Sequence, residues 1–215
     1  MLNGPILEPA SGKTPKQLVI FIHGYGADGN DLIGLASYFQ NILPDALFLS
    51  PHAPDPCPMN PAGYQWFDFS STDPAKLWTN ILIAGDHLNK FIDAKLSELK
   101  LKEESLALIG FSQGTMMALH VSLRRAKPMA AVLGYSGRLL GSELLKNDLV
   151  SRPPIYLIHG DQDPIVHYQE TLTAEKILSE HGVDIKVHIS KQTQHSIAED
   201  GLGIGVEFLG SKLKN

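Results

Sequence analysis

The stretch Leu106-Ala-Leu-Ile-Gly-Phe-Ser112-Gln-Gly-Thr-Met-Met-Ala-Leu119 decides the fold. It begins with a short, unbroken apolar run, the pattern of a strand buried on both faces. It ends by opening an apolar stretch long enough for a helix. Between the two lies Gly110-Phe-Ser112-Gln-Gly114, a serine with glycines two positions away on either side. With a strand before it and a helix after it, this spacing predicts a tight turn that exposes the Ser112 hydroxyl in a strained backbone conformation. Glycines there leave room for neighbouring backbone. The following helix N-terminus favours developing negative charge. A plain structural turn is the alternative reading, and the flanking strand and helix favour a nucleophile.

Outward from this segment, similar apolar runs occupy residues 18–23, 46–50, 130–135, 155–159 and 185–190. Helical patterning fills residues 31–41, 76–99, 113–126, 168–181 and 199–213. The longest of these sets Leu77, Ile81, Leu88, Ile92, Leu96 and Leu99 on one stripe. Strand alternating with helix predicts one α/β domain over residues 1–215, with a mostly parallel central sheet and helices on both faces. Residues 55–74 break the alternation with four prolines, Gly63, and the aromatics Tyr64, Trp66, Phe67 and Phe69. Two readings of that stretch stand side by side: a cover over an active site, or a surface loop pinned to the core by its aromatics.

The 215 residues are enough to bury a sizeable core. A hydrophobic content of 43% and a charged content of 19% are ordinary for a globular chain. The formal charge of −5, with no basic stripe, argues against nucleic-acid binding. Cys57 is the only cysteine, which excludes an internal disulfide and a multi-cysteine metal site. The first residues lack the basic and apolar pattern of a signal peptide. No apolar run approaches the ~20 residues needed to span a bilayer. The expectation is therefore a cytoplasmic protein without membrane insertion.

A serine hydroxyl needs a base to become a strong nucleophile. Hydrolases built on such an elbow place the acid and then the histidine after the serine in the chain. Among the later histidines, His120 falls inside a helix, His181 at a helix end, His159 at a strand end and His188 within a strand. His195 lies in a polar loop after the last strand and is the favoured base, with His167 second. The orienting acid is expected on a loop at the same sheet edge, where Asp161 and Asp163 both qualify. Position leans to Asp163, and an Asx-turn is the plain alternative for either.

Two backbone donors are needed for the charge on a tetrahedral intermediate. One is the amide of Gln113, the residue after the nucleophile. The other is expected from the glycine-rich loop that follows residues 18–23, at Tyr25. That loop has neither G-x-G-x-x-G spacing nor Gly-Lys-Ser/Thr, which argues against nucleotide binding.

Three segments in this order, His23-Gly-Tyr-Gly-Ala-Asp-Gly, Gly110-Phe-Ser-Gln-Gly and His159-Gly-Asp-Gln-Asp-Pro-Ile-Val followed by His195, resemble the acyl-protein thioesterase/carboxylesterase (phospholipase/carboxylesterase) family of α/β-hydrolases. The resemblance covers nearly the whole chain and implies the α/β-hydrolase fold without a large lid domain. It implies Asp163 as the triad acid with Ser112 and His195, and Tyr25 and Gln113 as the oxyanion-hole amides. It also implies that Trp66, in Trp66-Phe-Asp68, lines the substrate cleft, which favours the cover reading of residues 55–74. No metal or organic cofactor is implied. The implied substrate is a small-molecule or protein-linked acyl ester or thioester, and the implied state is a monomer or homodimer. The chain departs from the family at Gln194, where glycine is common, and at Tyr25, where many relatives carry leucine. An amidase or peptidase on the same fold, or a non-catalytic acyl-binding relative, is the alternative.

Overall fold

The computed structural model describes residues 2–71 and 73–213. The chain runs β1 (Ile6–Leu7), β2 (Gln17–Ile22), α1 (Gly29–Ile33), α2 (Ala36–Gln40), β3 (Ala46–Leu49), β4 (Asp55–Cys57), β5 (Asn60–Gln65), α3 (Pro74–Leu99), β6 (Leu106–Phe111) and α4 (Gln113–Ser122). It continues with β7 (Ala131–Tyr135), α5 (Leu145–Asp148), β8 (Ile155–Gly160), α6 (Gln169–Glu180), β9 (Ile185–Ser190) and α7 (Glu199–Leu213). A seven-stranded sheet has the order β1-β3-β2-β6-β7-β8-β9. All its pairings are parallel except that of β1 with β3.

The pleat divides the core into two layers. Leu18, Ile20, Ile22, Leu106 and Leu108 face α3, α4 and α6, where Leu88, Met117 and Leu178 are fully buried. Val19, Phe21, Ala107, Ile109 and Leu133 point the other way, onto Leu32, Phe39 and Leu209 of α1, α2 and α7. Strands sandwiched in this way have no solvent face, so their sequences are apolar at every position rather than alternating. Helix α4 is buried along its whole length between the sheet and α3. The start of α3 is set by Asp73, whose carboxylate accepts the Ala75 N–H at 2.9 Å, with Pro74 in the first turn. Lys100 ends it in the left-handed region at φ 56°. Among the described residues no helix is long and apolar enough to cross a membrane.

The structure departs from the sequence reading in several places, one of them the short helix α5 (Leu145–Asp148), which lies outside every expected helix. The helix expected over residues 31–41 is two short helices, α1 and α2. That expected over residues 113–126 ends at Ser122. The two-residue strand β1 is an addition. The irregular stretch 55–74 contains an antiparallel hairpin, β4 with β5, that forms its own small sheet. Trp66 and Phe67, which follow the hairpin, are each only 1% exposed and belong to the core.

Candidate active site

The central strand β6 ends at Phe111, and the next residue reverses the chain. Ser112 has φ 54°, a region few residues with a side chain adopt. Its N–H still donates to the Tyr135 carbonyl at 2.9 Å, which anchors the elbow to β7. Glycine is required at both flanking positions. A Cβ at Gly110 would collide with the backbone of Gly114 and Thr115, and one at Gly114 with the Ile22 and His23 carbonyl oxygens. Close packing at Gly114 therefore brings the start of α4 against the end of β2. The loop after β2 reaches the same place, since a Cβ on Gly24 would touch the Ser112 Cβ at 3.4 Å.

The neighbouring strand ends supply the other groups. Asp163 follows β8, and His195 lies in the loop between β9 and α7. Ser112 Oγ is 3.0 Å from His195 Nε2. His195 Nδ1 is 2.6 Å from Asp163 Oδ2. The hydroxyl donates to Nε2 while Nδ1–H donates to the carboxylate, so serine, imidazole and carboxylate form one hydrogen-bonded line. The His195 ring packs on Phe111, with ring centroids 4.9 Å apart. Such a line can remove the hydroxyl proton as Ser112 attacks a carbonyl and stabilise the imidazolium that results.

Asp163 is built to remain ionised. Its side chain is fully buried. Burial, the largest influence, pushes the carboxyl upward. The hydrogen bond from His195 and those from the Val166 and Ile165 amides outweigh it and hold the group below its ordinary value. Those two amides reach Oδ1 at 2.9 and 2.8 Å. Oδ2 accepts a second histidine, His159 Nε2, at 3.1 Å. The same Nε2 lies 2.7 Å from the Val166 carbonyl, which can only accept, so the proton sits on Nε2. Nδ1 then accepts the Thr171 hydroxyl at 2.7 Å. Burial lowers the His159 pKa against these hydrogen bonds, which keeps the ring neutral.

The other candidates separate cleanly. Asp161 pairs with Lys191 at 3.5 Å and does not meet His195. His167 lines the cavity at Ser112 and stacks on Tyr168, 5.2 Å between centroids, with no hydrogen bond to Asp163 or Ser112 among the described residues. His188 pairs with Asp200 at 2.7 Å, away from Ser112.

The cavity beside Ser112 has a volume of about 390 Å³ and is walled by Tyr25, Phe69, Met116 and Val166, with Arg138 and Glu170 among its polar groups. Trp66 lies elsewhere. It lines a separate cavity of about 220 Å³ with Phe67, Lys76 and His87. Trp66 Nε1 donates to the His23 carbonyl at 3.0 Å, and its backbone N–H donates to Gln113 Oε1 at 2.9 Å. Gln113 Nε2 donates in turn to the Phe67 carbonyl at 2.8 Å. Gln113, the residue after Ser112, thus clamps the Trp66-Phe67 segment, and that segment holds the base of the loop carrying Tyr25. Phe69 is the residue of this stretch that reaches the cavity, its ring 5.8 Å from that of Tyr25. Neither the Tyr25 nor the Gln113 backbone N–H donates to a backbone acceptor among the described residues.

Sequence reasoning missed the second contact to Asp163 from His159 and the clamp made by the Gln113 side chain. The segment His159-Gly-Asp-Gln-Asp163 held the signal for the first, because an i, i+4 pair across a tight loop can fold back on itself. Among the described residues no group of His, Cys, Asp or Glu side chains is arranged to hold a metal ion.

A mostly parallel sheet flanked by helices, with a serine elbow at the end of its central strand, defines an α/β-hydrolase, and the protein is a serine hydrolase. Within that class the chain belongs to the phospholipase/carboxylesterase family, whose model matches residues 6–213. The solved structure of esterase PE8 superposes with a TM-score of 0.93 at 38% identity, covering 99% of each chain. Acyl-protein thioesterase 1 of Neurospora crassa is 29% identical over 97% of this chain and 91% of its own length. The esterase YpfH of Escherichia coli strain K12 is 26% identical over 92% of this chain and 83% of its own.

Proposed function

We propose that the protein hydrolyses carboxylic acyl esters or thioesters through a Ser112–His195–Asp163 triad and an acyl-enzyme intermediate. The observation that carries the reading is the unbroken hydrogen-bonded line from Ser112 Oγ through His195 to the buried Asp163 carboxylate. Ser112 Oγ attacks the acyl carbon as His195 Nε2 takes its proton. The amides of Tyr25 and Gln113 receive the oxyanion, a role supported by their freedom from internal backbone acceptors. His195 then returns the proton to the leaving alcohol or thiol, and the C–O or C–S bond breaks. Water, deprotonated by His195, attacks the acyl-Ser112 ester and releases the acid.

The substrate is a small-molecule or protein-linked acyl group, a reading supported by the largely apolar wall of the cavity and by the thioesterase relatives. Trp66 acts from behind the wall, by holding the His23 carbonyl, rather than by touching the acyl chain. A cytoplasmic location suits a chain whose only cysteine is buried and free. The test is turnover of p-nitrophenyl butyrate by the Ser112→Ala protein. Less than roughly one part in a thousand of the wild-type rate is expected, and near-wild-type turnover overturns the assignment.

A further inference from the structure

We infer that Arg138 is an anion-recognition residue, and that the preferred substrate of the Ser112 site carries a carboxylate. The inference rests on the hydrolase reading above and deepens it. Arg138 is half-buried on the wall of the cavity that holds Ser112. The other three arginines are occupied. Arg124 reaches Asp148, Arg125 reaches Asp93, and Arg152 donates to the His181 carbonyl. Among the described residues Arg138 makes no salt bridge, and its Nε, like those of the paired Arg124 and Arg125, is buried without a partner. A guanidinium that has lost part of its hydration and gained no counter-charge is costly, and a planar fork of donors is matched by a carboxylate in bidentate geometry.

The backbone that carries Arg138 is fixed. The Ser136 N–H donates to the Ile158 carbonyl at 2.9 Å. A Cβ at Gly137 would collide with Thr115 and lie 3.1 Å from the Ser112 carbonyl oxygen, so Arg138 follows directly from the elbow's neighbour. Leu139 and Leu140 pack on the core, and Gly141, at φ +62°, sits against the Trp78 ring. Its apolar surroundings, Tyr25, Phe69 and Met116, strengthen an ion pair formed inside the cavity. Glu170 stands exposed on the same cavity without pairing to Arg138, which leaves the guanidinium to an incoming anion.

The test compares the wild type with Arg138→Gln and Arg138→Lys on two matched substrate pairs. p-Nitrophenyl butyrate against p-nitrophenyl hemiglutarate places the carboxylate on the acyl side. S-butyryl mercaptoethanol against S-butyryl mercaptoacetate places it on the leaving group. In at least one pair, Arg138→Gln lowers kcat/KM for the anionic member roughly tenfold or more relative to its neutral partner, Arg138→Lys recovers part of the loss, and high salt narrows the gap. An equal change for both members of both pairs overturns the proposal. Calorimetric binding of glutarate gives a readout independent of turnover. Binding to the wild type and its loss in Arg138→Gln support the subsite even when neither the neutral nor the anionic esters are hydrolysed, a result that would instead sink the hydrolase reading. Equal glutarate affinity in both proteins overturns the subsite.

Discussion

Histidines stand in two buried neighbourhoods of this molecule, and their partners give them different work. At the C-terminal edge of the sheet, His195 and His159 converge on one carboxylate oxygen of Asp163. At the seam between α3 and α4, His120 packs edge-on against Trp78, 5.3 Å between centroids, with Nδ1 unpartnered. Burial, with the charge of Arg124 beside it, lowers the His120 pKa to about 4. Depth in the fold is shared by both regions, but at the seam the carboxylates of Asp93 and Asp148 are taken by Arg125 and Arg124, and only at the sheet edge does a carboxylate meet the histidines. Even there the two rings diverge. His159 is locked by the Val166 carbonyl and the Thr171 hydroxyl, whereas His195 keeps one nitrogen for Ser112 and 19% of its side chain exposed. A base is made by what its second nitrogen is left free to meet.

The contrast predicts a graded set of losses. Asp163→Asn leaves the shape of the site but removes the acceptor that fixes the His195 tautomer. Its kcat is expected to fall about 10⁴-fold with little change in KM. A loss of only a few-fold would mean that another group orients His195. His159→Ala removes one donor from a buried carboxylate, and kcat should fall by roughly ten- to a hundredfold. His159→Gln, which keeps a donor, should recover part of that loss if the ring acts through Asp163.

His120 should matter to stability and not to rate. Its folded pKa of about 4 lies below the ordinary 6.5, so below about pH 6.5 the unfolded chain takes up a proton that the native state refuses. Stability is therefore level above that pH on this account and declines toward pH 4, by on the order of 3 kcal/mol. Denaturant unfolding of His120→Gln across this range should show a shallower decline. An unchanged slope would remove His120 from the acid sensitivity.

Much of this design was legible in the residues. Buried parallel strands betray themselves as unbroken apolar runs, and the elbow at Gly110–Gly114 carries its own steric requirements. Chain order then pointed to His195. The hairpin at residues 55–65 was hidden because its prolines and polar residues pair only with each other, outside the main sheet. Strand β1, Ile6–Leu7, is too short to show a period. Between Asp161 and Asp163 position gave only a slight lean to Asp163, and likeness to a family made the choice. The physical difference is direction, since one meets Lys191 and the other lies under two histidines. The same applies to Trp66, which likeness to the family placed on the cleft wall. Its indole is instead turned inward to the His23 carbonyl.

If Ser112 is the activated nucleophile, it should be the residue that a covalent serine-directed probe modifies. A fluorophosphonate probe followed by peptide mapping should place one adduct on Ser112, with labelling strongly slowed in His195→Ala. Labelling at another residue would place the nucleophile elsewhere, and no labelling of the wild type would favour a non-catalytic acyl-binding protein.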